Sequence, residues 1–198
     1  MPSYLNTSIL SCHIDPPSHL LGFPIPPGGY APLSDPDIPE EARGPIFAKW
    51  VSSYFKHGDL SSRDVSQLEQ REVDTSKKPT TDTIPLEELL TITDFGPAAK
   101  CERFLGESQQ FLSVLIKQTT KALFDPQIRE YWGGHSVWYV YCEASVWLVQ
   151  CAAWNLEEMD KTSEINFKPI SGANHFVRSF FFSQSIRSNR SDSGNSIS

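Results

Sequence analysis

Residues 134–176 read GHSVWYVYCEASVWLVQCAAWNLEEMDKTSEINFKPISGANHF, and the spacing of the apolar residues in this stretch decides the fold. Ser136 to Cys142 is dense in strand formers (Val137, Trp138, Tyr139, Val140, Tyr141), which predicts a strand. Val146 to Met159 carries Val149, Cys151, Ala152, Trp154, Leu156 and Met159 at helical spacings, with a start that is apolar nearly all round. Ile165 to Ile170 reads as a second short strand, and Ser171-Gly172 turns the chain into Ala173-Asn174-His175-Phe176. Strand, helix, strand is the repeating unit of a parallel α/β sheet. Glu143 stands where the first strand stops, and His175 follows the second. Such sheets place their sites at the carboxyl ends of the strands, so an acid and a base would meet there.

Outward from this unit, composition sets the class. At 198 residues the chain suits one domain, or a core plus a lid, and 39% hydrophobic residues supply a real interior. A formal net charge of −7 speaks against a nucleic-acid partner, whose footprint would be basic. Cys12, Cys101, Cys142 and Cys151 have neither CxxC nor Cys/His spacing, so no metal site is expected, and free buried thiols are. The amino terminus is too polar for a secretory signal, no apolar run reaches membrane-span length, and Ser196-Ile197-Ser198 is not a peroxisomal address. A cytoplasmic protein without a membrane partner is the expectation. No cofactor motif is present, since Gly28-Gly29 belongs to neither a Walker pattern nor a GxGxxG. Nothing points to an oligomeric state.

In chain order, four segments are expected. Residues 1–17 form a core strand, Ser8 to Ile14, stopped by Asp15-Pro16-Pro17; Asp15 is either a site carboxylate at a strand end or a turn cap. Residues 18–125 form a helical cap that begins with a Pro/Gly-rich connector lying against the body. In this cap Pro45 opens a helix with Ile46, Phe47, Trp50, Val51, Tyr54 and Phe55 on one face. Ser61 to Glu72 reads as a polar helix, and Asp74 to Thr83 as a charged, exposed loop. Pro85 to Ile92 and Phe111 to Phe124 are further helices. The aromatics Trp50, Tyr54 and Phe55 either line a pocket or pack on the core. Residues 126–177 are the strand–helix–strand core carrying acid and histidine, and 178–198 a disordered, Ser-rich tail. His13, His19, His57 and His135 lack any partner motif.

Asp15-Pro16-Pro17, the cap-like helices, the strand with Glu143, the Trp154-Asn155-Leu156-Glu157 helix and Gly172-Ala173-Asn174-His175-Phe176 together resemble the carboxyl-terminal half of an α/β-hydrolase. The likeness spans roughly residues 5 to 177 and is nearest to fungal members of the kind encoded in secondary-metabolite and toxin clusters. It implies a serine hydrolase or esterase acting on a small-molecule ester or thioester. His175 would be the base, with Glu143, or alternatively Asp15, the acid that holds its tautomer. The family ends the acid-bearing strand with glycine-aspartate; here those positions are Cys142 and Glu143.

One element of that family is missing from the sequence. A G-x-S-x-G nucleophile elbow should precede acid and histidine, and the nearest approaches, Gly106-Glu107-Ser108 and Gly134-His135-Ser136, lack the second glycine. The resemblance therefore implies a carboxyl-terminal part whose amino-terminal half and elbow are missing, weakly active or inactive by itself. The other expectation is a non-catalytic remnant or small-molecule-binding protein of the same fold.

Overall fold

Three parallel strands in the order β1-β2-β3 form the centre of the computed structural model, which describes residues 11–93, 108–131, 133 and 135–176. β1 is Ser11–Ile14, β2 Val137–Cys142 and β3 Ile165–Ile170. Ser11 pairs with Val137 and Ile14 with Val140, while Val137 to Cys142 run in register with Ile165 to Ile170. β2 is the central strand, which is where its β-branched and aromatic residues fit best. Val137, Tyr139 and Tyr141 alternate into the main core, as a period of two requires.

A helix, α5 (Trp147–Met159), makes the crossover from β2 to β3. Trp147 through Trp154, and Leu156, are all buried, so the helix is covered on nearly every side. Its indole Trp147 donates from Nε1 to the Tyr30 carbonyl at 2.8 Å. Gly29 gives that ring its room, since a Cβ there would sit 2.4 Å from the indole edge. The Pro/Gly-rich connector thus lies against the body, with Leu21 and Phe23 buried and Tyr30 packed on the core.

The other helices are α1 (Glu40–Val51), α2 (Leu86–Ile92), α3 (Gln109–Phe124) and α4 (Pro126–Tyr131). α1 does not open at Pro45. It begins at Glu40, with Glu40 and Glu41 in its first turn and Pro45 inside it, where acidic side chains meet the positive end of the helix dipole. It also stops at Val51, so Tyr54 and Phe55 leave the helical face. Trp50 is edge-on to Tyr30 and Phe55 at 6.1 and 5.8 Å between ring centroids; this is core packing.

Residues 52–85 depart most from the sequence reading. In place of a polar helix over Ser61 to Glu72 there are two 3-10 turns, Leu60–Ser62 and Val65–Gln67, opened by Asp59 and Asp64 side chains that accept from Ser61 and Ser66 N–H. Aspartate-capped turns compete with helix wherever Asp and Ser alternate in this way. Thr75 to Lys78 are exposed, as expected of a loop, but Asp74 and Thr80 are buried, and Thr80–Thr83 forms a further 3-10 turn. The Asp74 carboxyl accepts from the Ser76 hydroxyl at 2.6 Å and its N–H at 3.0 Å, and pairs with Lys56 at 2.9 Å. The Ser76 hydroxyl first, then Lys56, hold it down at about 2.

Cys142 and Cys151 are free and buried. The predicted strand start at Ser8, Cys101, Gly106, Glu107, Gly134 and the tail from Val177 lie outside the described residues.

Candidate active site

Two of the candidate residues, Asp15 and His175, meet at the carboxyl ends of the strands. Directly after β1, Asp15 takes a left-handed backbone (φ 53°), which Asp tolerates better than most residues. Its N–H still donates to the Val140 carbonyl at 2.7 Å, closing the ladder, before Pro16 ends it. The Asp15 side chain is 1% exposed, and three donors converge on it. Oδ1 accepts from the Cys142 N–H at 2.7 Å. Oδ2 accepts from the Ser145 hydroxyl at 2.6 Å and from His175 Nδ1 at 2.8 Å. A buried carboxylate is tolerated when its oxygens are satisfied in this way.

The bond to His175 also sets its tautomer. A carboxylate offers only acceptors, so the ring proton resides on Nδ1 and Nε2 is left to accept. Among the described residues, Nε2 makes no hydrogen bond, and the imidazole is 28% exposed. Phe176 stands edge-on against the ring, at 5.7 Å and 85°.

Glu143 is not brought to His175. Its N–H donates to the Ile170 carbonyl at 3.1 Å, and its side chain lines a small pocket of about 190 Å³ with Arg63, Tyr141, Gln150 and Trp154. Successive residues at a strand end point to opposite sides. Cys142, one residue earlier, faces Asp15, and burial, then that carboxylate, push its thiol up. The acid that reaches His175 is the alternative one, from the earlier strand.

Residues 52–81 then lock the histidine turn, which no local signal in the sequence announces. Asn174, fully buried, donates from Nδ2 to the Ser52 carbonyl at 2.6 Å and to Thr80 Oγ1 at 2.9 Å. Its Oδ1 accepts from the Phe176 N–H at 3.1 Å. Lys77 reaches the Gly172 carbonyl at 3.3 Å. Across the turn after β2, the Ala144 N–H donates to the Ala173 carbonyl and the Phe55 N–H to the Ala144 carbonyl, both at 3.0 Å.

His57, which the sequence leaves without a partner, is bonded at both nitrogens. Its Nε2–H donates to the Ser145 carbonyl at 2.8 Å, and its Nδ1 accepts from the Glu69 N–H at 3.0 Å. Burial is the main reason its basicity is lowered, against the Ser145 carbonyl and the Glu69 charge.

Of the serines nearest to an elbow motif, Ser108 caps α3 by accepting from the Phe111 N–H at 3.4 Å, and Ser136 directly precedes β2. Ser136 therefore leads into a strand and does not sit on a strand-to-helix turn. Among the described residues no group of three His, Cys, Asp or Glu side chains could hold a metal ion, and no helix is long and apolar enough to cross a membrane. Compared with protein-family models, with curated proteins and with solved structures, the chain matches none.

Proposed function

We propose that this chain carries the acid and the base of an α/β-hydrolase, the carboxyl-terminal half of that fold, acting on a small-molecule ester or thioester of the kind handled in fungal secondary-metabolite or toxin pathways. The observation that supports it is the 2.8 Å contact between Asp15 Oδ2 and His175 Nδ1, made between the carboxyl ends of parallel strands. An acid–imidazole pair with a free Nε2 is two-thirds of a Ser-His-Asp triad.

The chemistry follows from the tautomer. A serine hydroxyl beside Nε2 attacks the substrate carbonyl as Nε2 takes its proton, and His175 then returns the proton to the leaving oxygen or sulfur. Asp15 keeps Nδ1 protonated and stabilises the imidazolium while it lasts. Ser145 cannot be that serine, because its hydroxyl is committed to Asp15 on the Nδ1 side of the ring. No G-x-S-x-G occurs in the 198 residues, so residues 1–198 alone perform no covalent step, and losing the serine of such a triad costs several orders of magnitude in rate.

The test is genetic and chemical. The reading frame upstream of Met1 is sequenced, and the extended chain is expressed and treated with a fluorophosphonate probe. A strand–G-x-S-x-G–helix segment whose serine takes the label, with labelling lost in His175→Ala, is the expected result. No such segment, or labelling indifferent to His175→Ala, sinks the proposal.

The second reading is a small-molecule-binding protein of the same fold. It is favoured by the groove of about 840 Å³ between the connector and α5, floored by Ile25, Pro26, Val65 and Trp154. That groove lies apart from the pair, with neither Asp15 nor His175 in its lining.

A further inference from the structure

We propose that Ser145, held by His57, is a positioning residue for His175. The Ser145 hydroxyl shares one carboxylate oxygen, Oδ2 of Asp15, with the imidazole: 2.6 Å to Ser145 Oγ and 2.8 Å to His175 Nδ1. The Cys142 N–H on Oδ1 fixes the other end of the carboxylate at 2.7 Å. Two anchors on different oxygens prevent the carboxylate from turning about its last torsion, which is otherwise broad. The direction in which Oδ2 faces His175 is therefore set by Ser145 together with the Cys142 N–H.

Sharing has a second effect. An oxygen that accepts two short hydrogen bonds has less charge to offer each donor. Ser145 thereby weakens the Asp15–His175 bond while aiming it. Deleting the hydroxyl leaves His175 with the whole of Oδ2.

Ser145 can do this because its own backbone is fixed from three sides. It is fully buried, its N–H donates to the Cys142 carbonyl at 3.1 Å, and the preceding Ala144 is bonded to Ala173 and Phe55. The third hold is the bond of 2.8 Å from His57 Nε2–H to the Ser145 carbonyl. His57 is itself oriented by the Glu69 N–H and by stacking on Phe55, at 6.1 Å and 10°. The chain of bonds runs from Glu69 through His57, Ser145 and Asp15 to His175.

This inference deepens the acid–base reading of the pair, and only its consequence for catalysis rests on that reading. The test needs no turnover, so its failure is distinct from a failure of the fluorophosphonate experiment. The full chain is labelled with nitrogen-15 histidine, and the Nδ1 proton of His175 is followed by NMR, assigned by its loss in His175→Gln. Ser145→Ala is expected to move that proton downfield, the sign of a stronger bond to Oδ2, with the His57 signals unmoved. Ser145→Thr, which keeps the hydroxyl, is expected to return it to the wild-type position. His57→Phe, which keeps the stack on Phe55 and loses both hydrogen bonds, is expected to move it in the same direction as Ser145→Ala. If Ser145→Ala does not fold, Ser145→Cys, a weaker donor of similar size, must show the downfield move in its place. An unmoved His175 proton in a folded Ala or Cys variant, or no restoration by Thr, overturns the role of Ser145. An unmoved proton in His57→Phe removes His57 from it.

Discussion

Asp15 and His175 stand 160 residues apart in the chain, and their side chains meet at 2.8 Å. The contact closes a short circuit across the sheet edge, because the same carboxylate also binds the turn after β2 through Cys142 and Ser145. One buried side chain therefore ties the ends of all three strands together.

Replacing that side chain is the most direct check. Asp15→Ala leaves the Cys142 N–H, the Ser145 hydroxyl and His175 Nδ1 without their acceptor in a closed site. The expected cost is about 3–5 kcal/mol, the range for removing one partner of a buried, hydrogen-bonded charge. Urea unfolding followed by tryptophan fluorescence measures it. A loss below about 1 kcal/mol would contradict the three-donor arrangement.

Glu143→Gln tests the opposite case. Its carboxylate is only half-buried and lies away from His175, so the change should alter stability by no more than about 0.5 kcal/mol. It should also leave the His175 Nδ1 proton signal where it is. A displaced signal would show that Glu143 addresses the imidazole after all.

Gly22 ends the Ser18–Leu21 turn in the left-handed region, at φ 83°. A Cβ there would meet the Ile116 backbone nitrogen at 2.1 Å and the Leu112 carbonyl oxygen at 2.8 Å. Backbone of α3 cannot give way as a side-chain tip can. Gly22→Ala is expected to cost at least about 2 kcal/mol, from the unfavourable φ and the overpacking together. The readout is the urea midpoint at unchanged slope.

Acid should weaken the fold in two stages. Burial lowers the basicity of His57 and His19 in the folded protein, so the unfolded chain takes up the proton first. Their effect on stability is nil well above about pH 6.5, and stability falls as pH drops through that value. Asp59, Asp64, Glu69 and Asp74 are also lowered, by hydrogen bonds that hold their charged form, and for a carboxylate that lowering favours the folded state. They stabilise above about pH 4 and lose that effect below it. Melting temperatures between pH 7.5 and 5.5 therefore report the histidines, and the decline should be shallower in His57→Phe than in the wild type. Equal slopes would remove His57 from the cause.

The two buried thiols should be inert. Burial pushes Cys151 up to about 11 and Cys142 higher still, with the Asp15 charge adding to the second. Thiolate, not thiol, is the reactive form. Peptide mass spectrometry after iodoacetamide treatment at pH 8 should find both unmodified in the native protein and both modified in urea.

How much of this could be read beforehand depends on whether the signal was local. β3 at Ile165–Ile170 and α5 at Trp147–Met159 follow from apolar spacing over a few turns, and the structure places them within a residue of expectation. The parallel order follows from strand, helix, strand. The His175 turn is legible because Ser171-Gly172 must end the strand there, Gly172 taking φ 70°. The 52–81 segment was not legible. Its Ser52, Phe55, His57 and Thr80 are held by bonds to Ala144, Ser145 and Asn174, far along the chain, and such partners leave no periodic trace.

By itself the sequence determined the local elements, the class of sheet, and the pair of residue types that could work as acid and base. Only the tertiary structure shows which of the two carboxylates meets His175. Glu143 is adjacent in sequence to the β2 turn, yet the alternation of side chains at a strand end turns it away from His175. Asp15 is remote in sequence, yet parallel pairing brings its strand end alongside, and its left-handed backbone and three donors direct its carboxylate to the imidazole.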